Sequence, residues 1–197
     1  MASWVADALI SHLDPHRILP YDLRSPLYHK AVTYTGIRTM TESPRSVSNI
    51  LFLCSGNYYR SRFAEILFNT RAQDEIIPWR SFSRGLVVDR ISSNIGPISR
   101  AATHRLASQG IHLPAAIRSP VQLLEPDLFA ADLIIAMKEA EHRPMFAERF
   151  PAWTDRAEYW HIDDVDYARP EDALAALEHN VRRLINRLSQ LPLAGDS

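Results

Sequence analysis

The sequence predicts an α/β fold: a single three-layer, doubly wound parallel sheet with helices on both faces and an added N-terminal arm. Three observations predict it. Residues 49–54 and 131–137 are short continuous apolar runs, as expected of strands buried on both faces. Segments of helical periodicity follow each run. Strand and helix signals alternate from residue 49 onward, the pattern of a parallel sheet covered on both sides.

Taken in order, residues 1–40 hold three proline breaks, Pro15, Pro20 and Pro26, and one short helix is expected over 3–13. Ser3 would cap it, with Trp4, Ala8 and Leu9 on one face. The polar, proline-bearing stretch 41–48 reads as a linker. The first strand is 49–54. A helix over 61–71 sets Phe63, Ile66, Leu67 and Thr70 on one face, and 80–84 is a second strand. Residues 94–109 read as a helix with Ile95, Ile98, Ala102 and Leu106 inward and Gly110 as its stop. The run 131–137 is the third strand, with a helix over 138–149 and a last short strand over 157–162. The most regular helix is 171–191. Leu174, Leu177, Val181, Leu184, Ile185 and Leu188 recur at helical spacing behind Pro170.

Composition bounds the function. A chain of 197 residues with 46% hydrophobic content suits one globular domain. A net charge of −1 supplies no field that calls for nucleic acid or an acidic membrane. No apolar run approaches the ~18 residues of a membrane span, and the first residues lack the basic start and apolar run of a signal peptide. A soluble, cytoplasmic protein without nucleic-acid or membrane partners is expected. The single cysteine, Cys54, can form neither an internal disulfide nor a cysteine-based zinc site, which favours a reducing compartment. His142, His161 and His179 have no metal-ligand spacing and read as surface or supporting residues, so no metal and no cofactor is expected. Arg182, Arg183 and Arg187 read as the exposed face of the last helix, and Arg84 and Arg90 as an extension of an anionic-substrate surface.

The chemistry concentrates in Cys54-Ser-Gly-Asn-Tyr-Tyr-Arg60-Ser61. Cys54 ends a strand and Ser61 begins a helix, so the residues between must turn back and present their amides. Gly56 permits a positive φ, and Asn57 tolerates a left-handed conformation. Inward-pointing amides at a helix N-terminus make an anion nest, formed by Ser55, Gly56, Asn57, Tyr58, Tyr59 and Ser61. The same field favours a thiolate. Arg60 adds a planar fork for two phosphate oxygens, and Ser61 a hydroxyl for the sulfur. Cys54 is therefore the candidate nucleophile and Arg60 the candidate clamp. In such sheets ligands bind beyond the carboxyl ends of the strands, where Cys54 sits.

Residues 50–65, Ile-Leu-Phe-Leu-Cys-Ser-Gly-Asn-Tyr-Tyr-Arg-Ser-Arg-Phe-Ala-Glu, resemble the phosphate loop and first helix of the low-molecular-weight protein tyrosine phosphatases, whose pattern is V-C-x-G-N-x-C-R-S-P-x-A-E. Ser83-Arg84-Gly85 resembles the family's second-strand Ser-x-Gly, and 131–137 its D-L-I-x-x-M strand. The resemblance covers roughly 48–190. It implies a flavodoxin-like strand order and a division into an N-terminal extension (1–47), a phosphatase-like domain (48–191) and a tail (192–197). It also implies phosphomonoester hydrolysis, on protein phosphotyrosine or a small phosphomonoester, through a phosphocysteine on Cys54 with an aspartate general acid.

The loop expected to supply that acid is Trp160-His-Ile-Asp-Asp-Val-Asp166. The related arsenate reductases carry W-x-I-x-D-P at this place, which makes Asp164 the acid, Asp163 the second choice and Asp166 the third. Val165 stands where the family has proline. Tyr59 stands where the family often has a second, protective cysteine, and the family's paired tyrosines after the acid are missing. Tyr58 and Tyr59 could wall the pocket instead, or pack against the neighbouring helix.

Two alternatives stand beside hydrolysis. One is arsenate reduction with an external small thiol, since the chain has no cysteines for an internal relay. The other is a catalytically idle domain that binds phosphorylated partners. The extension's Trp4, Leu9, Leu13, Ile18, Tyr21, Tyr28 and Tyr34 favour packing over disorder. It could cap the sheet, cover the pocket or form a homodimer.

Overall fold

The computed structural model describes residues 47–91, 93–164 and 169–190. The N-terminal helix expected over 3–13, Asp166 and the tail lie outside them.

Four strands form one parallel sheet: β1 (Ser48–Cys54), β2 (Trp79–Gly85), β3 (Leu133–Ala136) and β4 (Glu158–Tyr159), in the order β2-β1-β3-β4. Reversal of the winding direction at β1 makes the sheet doubly wound. Helices α1 (Arg60–Asp74), α2 (Arg100–Ser108), α3 (Glu125–Phe129), α4 (Glu139–Arg149) and α5 (Pro170–Ser189) cover it. The expected α/β architecture is thus the observed one.

Alternation along β1 builds the layers. Ile50, Phe52 and Cys54 face one side and pack with Phe63, Leu67 and Phe68 of α1 and with Leu177, Val181 and Leu184 of α5. Leu51 and Leu53 face the other side, against Leu128 of α3, Phe146 of α4 and Trp153. All five β1 residues from Ile50 to Cys54 are buried. Each large apolar side chain buried this way contributes about 1.5–3 kcal/mol. The register sets Cys54 opposite Gly85 and Leu53 opposite Ala136, so the carboxyl ends of three strands open beside the cysteine.

Helix α2 is shorter than the sequence suggests. It starts at Arg100, where Ser99 caps it by accepting from the Ala102 amide at 3.1 Å. Ile95, expected inward, is 87% exposed. Gly96 has φ +84 and Pro97 follows, so helical periodicity carried through 94–98 has no helical backbone beneath it. Instead the Ser99 amide donates to the Tyr58 carbonyl at 3.0 Å, tying this segment to the Cys54 loop. The single-turn helix α3 was not expected. No helix of the described residues is long and apolar enough to cross a membrane.

Candidate active site

Cys54 is buried at the end of β1, and α1 begins six residues later at Arg60. Asn57 takes the left-handed conformation (φ 49) and Gly56 does not, which corrects the sequence expectation for Gly56. What Gly56 supplies is room. A Cβ there would lie 3.0 Å from Asn94 Nδ2 and 3.1 Å from Ile91 Cδ1. Gly85 does the same from β2, where a Cβ would lie 2.9 Å from both the Asn57 amide nitrogen and the Ser55 carbonyl. Among the described residues no acceptor takes the amides of residues 55–59, as an anion nest requires.

The hydrogens around the thiol can be assigned. Asn57 Oδ1 accepts from the Val121 amide at 3.0 Å and from Arg118 Nη1 at 2.9 Å, which fixes the side-chain amide. Asn57 Nδ2 then donates to Ser61 Oγ at 3.1 Å and Ser83 Oγ at 2.7 Å. Ser61 Oγ lies 2.9 Å from Cys54 Sγ. Since it already accepts from Asn57, its own hydrogen is free to point at the sulfur. Ser83 donates to Glu65 Oε2 at 2.5 Å, and Arg118 Nη2 donates to the same carboxylate oxygen at 2.7 Å.

Arg60 is 1% exposed, with donors radiating in several directions. Nη1 donates to Glu141 Oε2 at 2.8 Å and to the Ile162 carbonyl at 3.2 Å. Nη2 donates to Glu141 Oε1 at 2.9 Å and to Asp164 Oδ2. Nε is buried with no hydrogen-bond partner. Burial alone would lower the pKa of this guanidinium. The Glu141 hydrogen bond and the charges of Cys54, Glu141 and Asp164 raise it instead.

Glu141 also accepts from Ser55 Oγ. Burial pushes its carboxyl up, but hydrogen bonds from His142 and Arg60 overcome this and hold it far below the usual carboxylate range. His142 is fully buried, and burial lowers its pKa against the raising effect of Glu141. Its Nδ1 accepts from the Lys138 amide at 2.9 Å, so the neutral ring carries its proton on Nε2. That nitrogen lies 3.2 Å from Ser55 Oγ and 3.3 Å from Glu141 Oε1. His142 is therefore a supporting residue, while His161 and His179 are exposed.

The remaining expected residues divide. Asp164 meets Arg60, whereas Asp163 pairs with Lys138 and is about half exposed. Tyr59 is buried and donates to the Pro170 carbonyl at 3.0 Å. Burial and the Asp164 charge push its phenol up to about 12. It packs rather than walls the pocket. Tyr58 is partly exposed, with its hydroxyl on the Ile95 carbonyl at 2.8 Å. Arg84 and Arg90 are tied to Asp127 and Glu148, at 2.8 and 2.7 Å, so the expected anionic-substrate surface gives way to ion pairs. Sequence reasoning missed Glu141, Arg118 and Glu65. For Glu141 a signal existed: it follows β3, at the sheet's carboxyl edge where ligands bind. Among the described residues no group of three or more His, Cys, Asp or Glu could hold a metal ion.

A protein-family model described as low molecular weight phosphotyrosine protein phosphatase matches residues 49–191. No curated protein matches the chain. Among solved structures, a low molecular weight protein tyrosine phosphatase from T. tengcongensis is 25% identical, with a TM-score of 0.60, covering 72% of this chain and 99% of its own. The YwlE arginine phosphatase from Geobacillus stearothermophilus is 29% identical, with a TM-score of 0.55, covering 72% and 93%. A low molecular weight protein tyrosine phosphatase from Bacillus subtilis is 25% identical, with a TM-score of 0.55, covering 72% and 95%.

Proposed function

The chain belongs to the low molecular weight phosphotyrosine protein phosphatase family, and from that premise we propose that this cysteine phosphatase hydrolyses phosphotyrosine on proteins or small aryl phosphates. Cys54 Sγ attacks phosphorus as the bond to the leaving oxygen breaks, and Asp164 gives that oxygen its proton. Water then attacks the phosphocysteine, Asp164 takes a proton from it, and the thiolate departs with the Ser61 hydroxyl turned toward it. Arg60 and the loop amides hold the phosphoryl oxygens throughout. The observation that carries this reading is Cys54 with Ser61 at 2.9 Å, in a nest whose guanidinium also holds Asp164. The lone thiol supports a cytoplasmic setting, where it stays reduced.

The direct test is turnover of p-nitrophenyl phosphate by reduced protein across pH 5–8, with Cys54→Ser as control. Hydrolysis abolished in the variant is expected, and its absence in the wild type would sink the reading.

One observation favours a second substrate. Two carboxylates, Glu141 and Asp164, share the Arg60 guanidinium and remain 22% and 28% exposed. Asp164, the more exposed of the two, suits a phosphoryl group carried on a cation better than one on a phenol, and two of the similar structures are of arginine phosphatases. Parallel kcat/KM measurements on phosphotyrosine and phosphoarginine peptides separate the two.

A further inference from the structure

Arg60 offers five N–H donors, and four point at protein acceptors: two at Glu141, one at the Ile162 carbonyl and one at Asp164. The fifth, on Nε, is buried without a partner. Glu141 grips both terminal nitrogens of the fork, so it fixes the plane of the guanidinium and the direction of Nε.

Glu141 is itself held. The Lys138 amide donates to His142 Nδ1, which leaves the proton on Nε2, 3.2 Å from Ser55 Oγ. Ser55 accepts there and donates its own hydrogen to Glu141 Oε1. A chain of bonds thus runs from the N-terminal turn of α4, through a buried ring and the residue after the cysteine, to the carboxylate that grips Arg60.

We propose that Glu141 is a positioning residue, latched by His142 and Ser55, that divides the donors of Arg60 between protein and substrate. An incoming phosphoryl group takes Nε directly. It reaches Nη2 by displacing Asp164, while Glu141 keeps its grip on the fork. Substrate binding therefore moves the Asp164 carboxylate off the guanidinium and toward the leaving oxygen. The proposal rests on the phosphatase reading of the Cys54 nest, and wild-type turnover tests that reading separately.

The test is Glu141→Gln and Ser55→Ala in the full chain, assayed on p-nitrophenyl phosphate and phosphoarginine, with orthovanadate as a substrate-independent probe of the nest. For Glu141→Gln the expected result is a fall in kcat/KM of at least about ten-fold, by the same factor on whichever of the two substrates the wild type turns over, and a rise in the vanadate inhibition constant. Ser55→Ala costs less, about three-fold, and adds nothing in the Glu141→Gln background, because both act through one carboxylate. If Glu141→Gln fails to fold, Ser55→Ala alone must weaken vanadate while keeping the wild-type melting temperature. An unchanged vanadate constant, a loss on only one of two substrates that the wild type turns over, or additive effects of the two substitutions would each overturn the proposal.

Discussion

Ser61 Oγ lies 2.9 Å from Cys54 Sγ, and the Asn57 amide on its far side leaves its hydrogen to the sulfur. The two residues are joined by a loop whose other end is locked to β2 through Ser83 and to Arg118. A hydrogen bond to a charged partner is worth about 1.5–3 kcal/mol, so Ser61→Ala lowers kcat on p-nitrophenyl phosphate by about ten- to hundred-fold. Steady-state kinetics with an unchanged melting curve checks this.

Asp164→Asn separates acid catalysis from binding. Nitrophenolate leaves readily without a proton and phenolate does not, so kcat/KM falls more on phenyl phosphate than on p-nitrophenyl phosphate. Asp163→Asn, whose carboxylate faces Lys138, shows no such leaving-group dependence. Equal losses for the two leaving groups in Asp164→Asn would remove it from the acid role.

Arg118→Leu tests the outer lock of the nest. The change leaves the Glu65 carboxylate, 11% exposed, and Asn57 Oδ1 short of a donor. Losing one partner of a largely buried pair costs about 2–4 kcal/mol, or roughly 5–15 °C in melting temperature for a domain of this size. Thermal denaturation followed by circular dichroism reads it out.

Acid weakens the folded state through two groups. His142 has its folded pKa below 6.5, so the unfolded chain binds the extra proton first and stability falls as pH drops below 6.5. Glu141 is depressed below 4.5, so its contribution is present above that value and lost as pH falls further. The two effects run in one direction and in sequence. His142→Asn removes the first, and melting temperatures from pH 7 to 5 then flatten relative to wild type.

How much of this was legible depended on contiguity. Cys54, Arg60 and Ser61 lie within eight residues between a strand and a helix, so their meeting in one loop could be expected from the sequence. Glu141 and Arg118 meet the same loop across 81 and 61 residues, through the register of β1 against β3 and the segment after α2. No local pattern marks such partners. The start of α2 was misjudged because apolar periodicity ran on through Ile95, while Gly96, Pro97 and the Ser99 amide bond to Tyr58 hold that backbone out of the helix.

Tyr59, beside Arg60, ties its hydroxyl to the first residue of α5, and α5 packs with α1 in the same core cluster as Cys54. The surroundings of Cys54 thus depend on a helix more than a hundred residues downstream. During synthesis the cysteine leaves the ribosome long before that helix can dock. A nascent chain arrested before Pro170 would carry the thiol without its finished cradle, so phosphatase activity waits for α5 to emerge rather than arriving with the Cys54 loop.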